Sequence, residues 1–371
     1  MVEMTQISIP KKRRLEIKQA VINALVHSKR CHLPVEIKAI ARSYKNIRLI
    51  PYSRHMKRMG ISYEDMKIYA GTIDAFTDYF TNSNLFFIYY NDLDYNIYTS
   101  NRYRWNIAHE LGHVLLNHHR HSNNTRIFRW NLSDSEYNLM ENEADYFAQL
   151  ILVPHVVLCG LGIRNSKDLK NICKISNPAS RKRFHEYLIW QSHIDVKDNY
   201  DRLIFQYYYN FTYKRRCKTC GASLILRHGK YCPICGNKNT LKWGDGNMIY
   251  KGFETYTSGK LIQCPRCQNE QTNIQGEYCQ ICGSYLVNRC IGDCNYIGNC
   301  SYNMILPTNA RYCPISGNKC IFYDQGFLQD WNQKLHSPNS NPESNEQLAL
   351  EPPEDPFWEH PDFDQLAEEL P

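Results

Sequence analysis

The stretch Asn106-Ile107-Ala108-His109-Glu110-Leu111-Gly112-His113 contains the spacing H-E-x-x-H. On a helix, positions four apart lie about 40° from each other around the axis, so His109 and His113 project from one face, one turn apart. Two imidazoles at that spacing can hold one Zn²⁺ from the same side. Glu110 then sits where it can reach a metal-bound water. The chemistry this points to is metal-assisted hydrolysis. A catalytic zinc takes three protein ligands and keeps one position for water, so a third ligand must come from elsewhere in the chain.

The flanks must make this stretch a buried helix. Trp105, Ile107, Ala108, Leu111, Val114, Leu115 and Leu116 are apolar, and no proline interrupts them. Gly112 falls near the ligand side, where its missing Cβ leaves room for a neighbouring backbone or a substrate. A second helix is expected over Leu139-Met140-Glu141-Asn142-Glu143-Ala144-Asp145-Tyr146-Phe147-Ala148-Gln149-Leu150-Ile151-Leu152. Met140, Ala144, Phe147, Ala148 and Ile151 recur at helical spacing, and Pro154 ends the run. Glu141 is the preferred third ligand, because Asp145 at i+4 shares its face and can accept the outer ring N–H of a ligating histidine. Glu143 is the alternative ligand. A solvated helix face is the plainer account of either glutamate.

The two motifs together, H-E-L-G-H-x-x-L and, some thirty residues on, E-x-E-A-D-x-F-A-x-x-L-x-x-P, resemble the ImmA/IrrE family of metallopeptidases. The resemblance covers roughly residues 33–160. Arg104-Trp105-Asn106-Ile107-Ala108 is similar to the family's lead-in, and Leu33-Pro34-Val35-Glu36 to its start. Val153 before Pro154 is a departure, since a methionine often stands there. The resemblance implies a small α+β, zincin-like domain. It also implies a substrate: family members relieve repression in bacteria and their mobile elements by cleaving a helix-turn-helix transcriptional repressor.

Further on, cysteines are paired. Cys217 and Cys220 are followed, after eleven intervening residues, by Cys232 and Cys235. Cys264 and Cys267 are followed, again after eleven, by Cys279 and Cys282, so the second set repeats the first at an offset of 47. Each C-x-x-C is a knuckle whose tight turn aims backbone amides at the sulfurs, and two knuckles complete a closed Cys₄ zinc site. Such sites are structural, and modules this small need the metal to fold. Tyr312-Cys313-Pro314-Ile315-Ser316-Gly317 mirrors Tyr231-Cys232-Pro233-Ile234-Cys235-Gly236, with Ser316 in place of the fourth sulfur. Either a third, rewired site is formed by Cys290, Cys294, Cys313 and Cys320, with Cys300 competing for a place, or this module has lost its metal. Cys31, Cys159 and Cys173 are isolated and read as ordinary thiols.

Length and composition set bounds. The chain has 371 residues, enough for two or more domains, and 43% apolar residues, enough for a real core. The net charge is +7, but residues 341–371 hold ten acidic groups and no Lys or Arg. The rest therefore carries a formal +17, less whatever the zinc thiolates remove, and favours an acidic partner or nucleic acid. No apolar core precedes Lys11-Lys12-Arg13-Arg14, and no apolar run reaches the ~20 residues of a membrane span. With eight of the sixteen cysteines paired as C-x-x-C, these features lead to the expectation of a cytoplasmic protein with metal sites and no membrane contact.

Other elements follow from pattern. Residues 11–28 read as a basic amphipathic helix with Leu15, Ile17, Ala20, Val21, Ala24 and Leu25 as its stripe, and 34–44 as a helix with Pro34 in its first turn. Residues 47–50 and 85–90 read as strands. His118, His119 and His121 lie past the ligand turn and read as solvent-facing. Residues 166–176 and 179–188, joined at Asn177-Pro178, outline a helix-turn-helix, more often a packed pair than a DNA reader. Residues 333–371 read as a disordered acidic tail in which Pro356, Phe357, Trp358 and Phe363 interrupt the polarity.

The expected organisation is therefore α+β. It comprises an N-terminal helix (1–32), the metallopeptidase domain with a helical accessory segment (33–210), zinc ribbons at 211–250 and 251–288, a degenerate ribbon-like module (289–332) and the tail. The expected cofactors are one catalytic and two structural Zn²⁺, with the altered third site open. The expected activity is peptide-bond hydrolysis in a protein substrate, with Glu110 as general base. The alternative is a non-catalytic regulator that binds nucleic acid or protein through the ribbons and the helix pair.

Overall fold

The computed structural model describes residues 9–119, 133–193, 199–292 and 304–336. It divides into two compact units, Met1–Thr212 and Tyr213–Pro371. The tail from residue 337, and with it Phe357, Trp358 and Phe363, lies outside the described residues, as do His121, Cys294 and Cys300.

The first unit is mixed helix and strand. Its elements run α1 (Lys11–Ser28), α2 (Ile37–Ser43), β1 (Ile47–Pro51), α3 (Tyr52–Met59), α4 (Tyr63–Ala70), β2 (Ala75–Phe80), β3 (Leu85–Tyr90), α5 (Tyr95–Thr99), α6 (Arg102–Leu115) and α7 (Asp134–Leu152). They continue through α8 (His155–Gly160), α9 (Ser166–Cys173), α10 (Asn177–Ser192) and α11 (Asn199–Tyr207).

The sheet order is β1-β3-β2, with β3 parallel to β1 and antiparallel to β2. The near-continuous apolar run of β3 reflects a strand covered on both faces. Phe86, Ile88 and Tyr90 join the main core with Ile47, Ala75 and Tyr79, beneath α1, α2 and α6. The alternate residues Phe87 and Tyr89 pack with Phe76 against Tyr52, Met66 and Ala70 of α3 and α4. The alternation therefore turns Ala75, Thr77 and Tyr79 of β2 towards the core that holds α6. Strand β2 was absent from the sequence reading, because Asp78 and Thr77 dilute its apolar pattern.

Helices α6 and α7 pack closely. A Cβ on Gly112 would stand 3.2 Å from the Ala144 Cα and 3.2 Å from the Phe147 ring, so the glycine's room is taken by the backbone of α7. A capping box at Ser133 and Glu136 fixes the start of α7.

Several expectations are corrected. Helix α1 buries Ile17, Val21, Ala24 and Leu25 in the same core as the rest of the first unit, whereas Leu15 is about half exposed. Helix α2 starts at Ile37 rather than at Pro34; Leu33 and Val35 are buried in the core instead. Asn177 and Pro178 open α10, because the Ser176 side chain caps it and proline is tolerated in a first turn. Within α10, Arg183 is buried over the Trp105 ring and paired with Glu186, which takes one basic group away from solvent.

The second unit is built on short pairings. Strands β4 (Lys214–Cys217), β5 (Ser223–Ile225) and β6 (Leu241–Trp243) form a sheet of order β5-β4-β6. Each knuckle closes by a hydrogen bond from the residue after its fourth position to the first cysteine carbonyl. The donors are the Gly221, Gly236, Gln268, Gly283 and Gly317 amides. That residue is left-handed every time, which glycine accepts freely and Gln268 (φ 60°) tolerates. The first and third modules also exchange matching bonds. Lys230 and Tyr231 amides donate to the Pro314 carbonyl, while Arg311 and Tyr312 amides donate to the Pro233 carbonyl. The two like sequences thus dock on each other about a local twofold.

Candidate metal sites

Among the described residues, three groups bring metal-ligating atoms within 4.8 Å of one another. One is His109, His113 and Glu141. The others are Cys217, Cys220, Cys232 and Cys235, and Cys264, Cys267, Cys279 and Cys282.

Helix α6 supplies the histidine pair and α7 the carboxylate. The two Nε2 atoms are 3.0 Å apart. Glu141 places one oxygen 3.2 Å from His109 Nε2 and the other 3.4 Å from His113 Nε2. Ligands about 2.0–2.1 Å from a tetrahedral zinc stand about 3.3 Å apart, so the donor set and its spacing fit that ion. Both histidines turn Nε2 inward and are held from behind through Nδ1. His109 Nδ1–H donates to Asp145 at 2.9 Å, as the i+4 spacing from Glu141 led us to expect. His113 Nδ1 lies 2.8 Å from His118 Nδ1.

Electrostatics follow from this packing. Burial lowers His109, but Asp145, Glu141 and Glu110 outweigh it and hold the ring up at about 10. Burial pushes His113 down to about 4 against the pull of Glu141. Burial raises Glu141, but hydrogen bonds from both histidines overcome it and leave the carboxyl well below its ordinary range.

The site opens into a cleft of about 560 Å³ lined by Thr77, Trp105, Glu110, Tyr137 and Asp145 among others. Thr77 of β2 donates its hydroxyl to a Glu110 oxygen at 2.7 Å. Sequence gave no signal for Thr77, whose role depends on a strand pairing. Asp74 binds Arg102 and the Asn106 side chain at the same cleft.

The alternative ligand Glu143 is not at this site. It is 4% exposed and binds His118 Nε2 at 2.9 Å and the Arg13 guanidinium at 2.8 Å. The expectation that His118 and His119 face solvent is wrong. They are 1% and 2% exposed, because the chain after α6 turns back into the core. Helix periodicity could not show that return.

The cysteine groups carry the spacing of metal sites rather than disulfides. In the first, Cys217–Cys235 and Cys220–Cys232 sulfurs are 3.6 and 3.7 Å apart. In the second, Cys264–Cys282 and Cys267–Cys279 are 3.6 and 3.5 Å apart. Sulfurs about 2.3 Å from a tetrahedral zinc stand about 3.8 Å apart. In the third module Cys313 and Cys320 are buried, and Ser316 Oγ lies 3.4 Å from Cys290 Sγ. These residues are not among the three ligand groups, so the described part of the module does not assemble the expected third site. Of the isolated thiols, Cys173 is buried, Cys31 exposed and Cys159 between.

Residues 57–159 match the family model Peptidase_M78, described as an IrrE N-terminal-like domain, and that stretch is a domain of the ImmA/IrrE metallopeptidase family. No curated protein matches the chain. The matched stretch takes in β2, β3, α6 and α7. The cysteine modules and α1 lie outside it. No helix among the described residues is long and apolar enough to cross a membrane.

Proposed function

We propose that the chain is a zinc-dependent endopeptidase acting on a protein substrate. The observation that carries this reading is the convergence of two Nε2 atoms and the Glu141 carboxylate at the wall of an open cleft, with Glu110 beside them. His109, His113 and Glu141 hold the metal. Zinc bound there supplies Lewis acidity, making a water more acidic and polarising the scissile carbonyl. Glu110 takes the proton of the attacking water and returns it to the leaving amine. Thr77 fixes one oxygen of Glu110, leaving the carboxylate a single orientation in which to do so. Asp145 keeps the proton of His109 on Nδ1, so that Nε2 presents its lone pair. Tyr137, one turn before Glu141 on the same helix, lines the same cleft.

Strand β2 is an edge of its sheet and lines the cleft through Ala75, Phe76 and Thr77. An extended segment of substrate can add to that edge, its main chain bonded and its side chains alternating in and out of the cleft. Such a substrate is a folded protein's exposed or melted segment. By the family resemblance we assign it to a helix-turn-helix transcriptional repressor, with release of repression of mobile-element or stress genes as the outcome.

The cysteine modules are proposed as structural zinc ribbons that recruit the substrate or the nucleic acid under it. Residues 213–250 carry eight Lys and Arg against one Asp, and Arg216 lies directly opposite Lys242 on the β4–β6 pair. Like charges facing each other on a sheet are destabilising, and a polyanion relieves them. This supports a second reading in which the chain regulates by binding nucleic acid.

The experiment that separates the two is cleavage of candidate repressors by wild type and Glu110→Gln, with and without chelator. The variant is expected to keep its zinc and lose cleavage by at least about a thousandfold. Normal cleavage by the variant removes Glu110 as the base. No cleavage by wild type, together with salt-dependent DNA binding, favours the second reading.

A further inference from the structure

Behind His113 runs a buried chain of polar groups that the hydrolytic chemistry does not itself use. His113 Nδ1 is 2.8 Å from His118 Nδ1, His118 Nε2 is 2.9 Å from Glu143 Oε2, and Glu143 Oε2 also takes Arg13 Nε at 2.9 Å. His113, His118 and Glu143 are all under 5% exposed. We infer that His118, backed by Glu143 and Arg13, is a positioning residue that fixes the ring of His113 for metal binding. The inference rests on the peptidase reading, because it concerns the ligand His113.

The proton positions follow from valence. A histidine that binds metal through Nε2 carries its proton on Nδ1. His113 Nδ1–H must then donate, so His118 Nδ1 must accept. The proton of neutral His118 is thereby forced onto Nε2, where Glu143 accepts it. Arg13 of α1 lies 2.8 Å from the same carboxylate and pairs with it. Arg13 Nη2 also lies 3.4 Å from His118 Nε2, so it is the metal on His113 Nε2 that sets the direction of the chain. Arg13 reaches this chain from outside the family-matched stretch, so α1 closes a network whose ligand end lies in α6.

His109 and His113 are therefore held by different means. His109 rests on one half-exposed carboxylate one turn from Glu141. His113 rests on a relay, buried at His118 and Glu143, that spans three helices and the turn after α6. Removing the relay's first acceptor leaves His113 Nδ1–H unsatisfied in the core and frees the ring to rotate.

The test compares His118→Leu, His118→Asn and Glu143→Gln in the full chain. Asparagine puts an oxygen near the place of His118 Nδ1 and can still accept from His113, while leucine cannot. Zinc held at the histidine site is measured by graded chelator competition. It is counted as the excess over His109→Ala/His113→Ala, in which only the cysteine sites remain. His118→Leu is expected to weaken zinc about 10–100-fold, with His118→Asn recovering most of the loss. Glu143→Gln, which keeps volume and an acceptor, is expected to weaken it several-fold less than leucine does. Leucine and asparagine variants equal to each other, whether both intact or both impaired, would overturn the inference. Should the leucine variant fail to fold, Glu143→Gln decides instead, and unchanged zinc affinity there is the contrary result. Wild type with no excess zinc would refute the peptidase reading itself, a distinct outcome from zinc that binds but ignores His118.

Discussion

The histidine–glutamate site and the cysteine sites solve opposite problems. In the first unit three ligands sit on two helices whose packing is already complete. Ile107, Ala108, Leu111, Phe147, Ala148 and Ile151 are fully buried around them. The metal position is a consequence of that core, and a cleft is left in front of it. In the second unit the cysteines are the core. The first cluster consists of four cysteines with Ala222, Ile234 and Tyr250, and the second of Cys264 and Cys279 with Leu261, Leu286, Phe322 and Leu328. Four sulfurs close each site and leave no vertex for water. The first donor set fits a metal open to a cleft, and the cysteine sets fit metals that hold a small core together.

Four substitutions or conditions sharpen this contrast. The largest effect is expected where metal and core coincide. Cys232→Ser should lower the zinc content and open the second unit to proteolysis, while the first unit's unfolding transition stays in place; a shift in that transition would deny the distinction. Asp145→Asn should act the other way, with the fold intact and zinc affinity at the histidine site down about 10–100-fold by chelator competition.

Gly112→Ala tests the helix packing. A methyl in a helix gains about 1 kcal/mol over glycine, but overpacking against Ala144 and Phe147 costs about 1–3 kcal/mol. A net loss of about 1 kcal/mol in denaturant unfolding is expected, with weaker zinc binding because Glu141 moves with α7. A stabilised variant would show that α7 has room to shift.

A pH test probes the support of His109. In metal-stripped protein the raised His109 contributes stability that is complete below its unfolded value of about 6.5 and lost as pH rises to about 10. The stability gap between wild type and His109→Asn should therefore shrink across that range. A gap that widens with pH would contradict the carboxylate support assigned to His109.

Much of the site was legible because its spacings are local. His109, Glu110 and His113 share a helix, and Glu141 with Asp145 repeats the i+4 logic on the next one. The cysteine knuckles are local too. What sequence could not show depends on the chain's return in space. Thr77 reaches Glu110 only because β2 pairs with β3. Arg13 meets Glu143 only because α1 lies on α7. His118 reads as surface until the turn after α6 folds inward. In the third module Ser316 stands where the repeat has a cysteine, so spacing alone does not name the ligands there.

The central claim is that the first unit holds a metal of its own. Zinc counted per chain by elemental analysis, in wild type and in His109→Ala/His113→Ala, tests it without a substrate. The account expects one zinc fewer in the variant, with the cysteine-bound metal unchanged. Equal counts in the two proteins would contradict it.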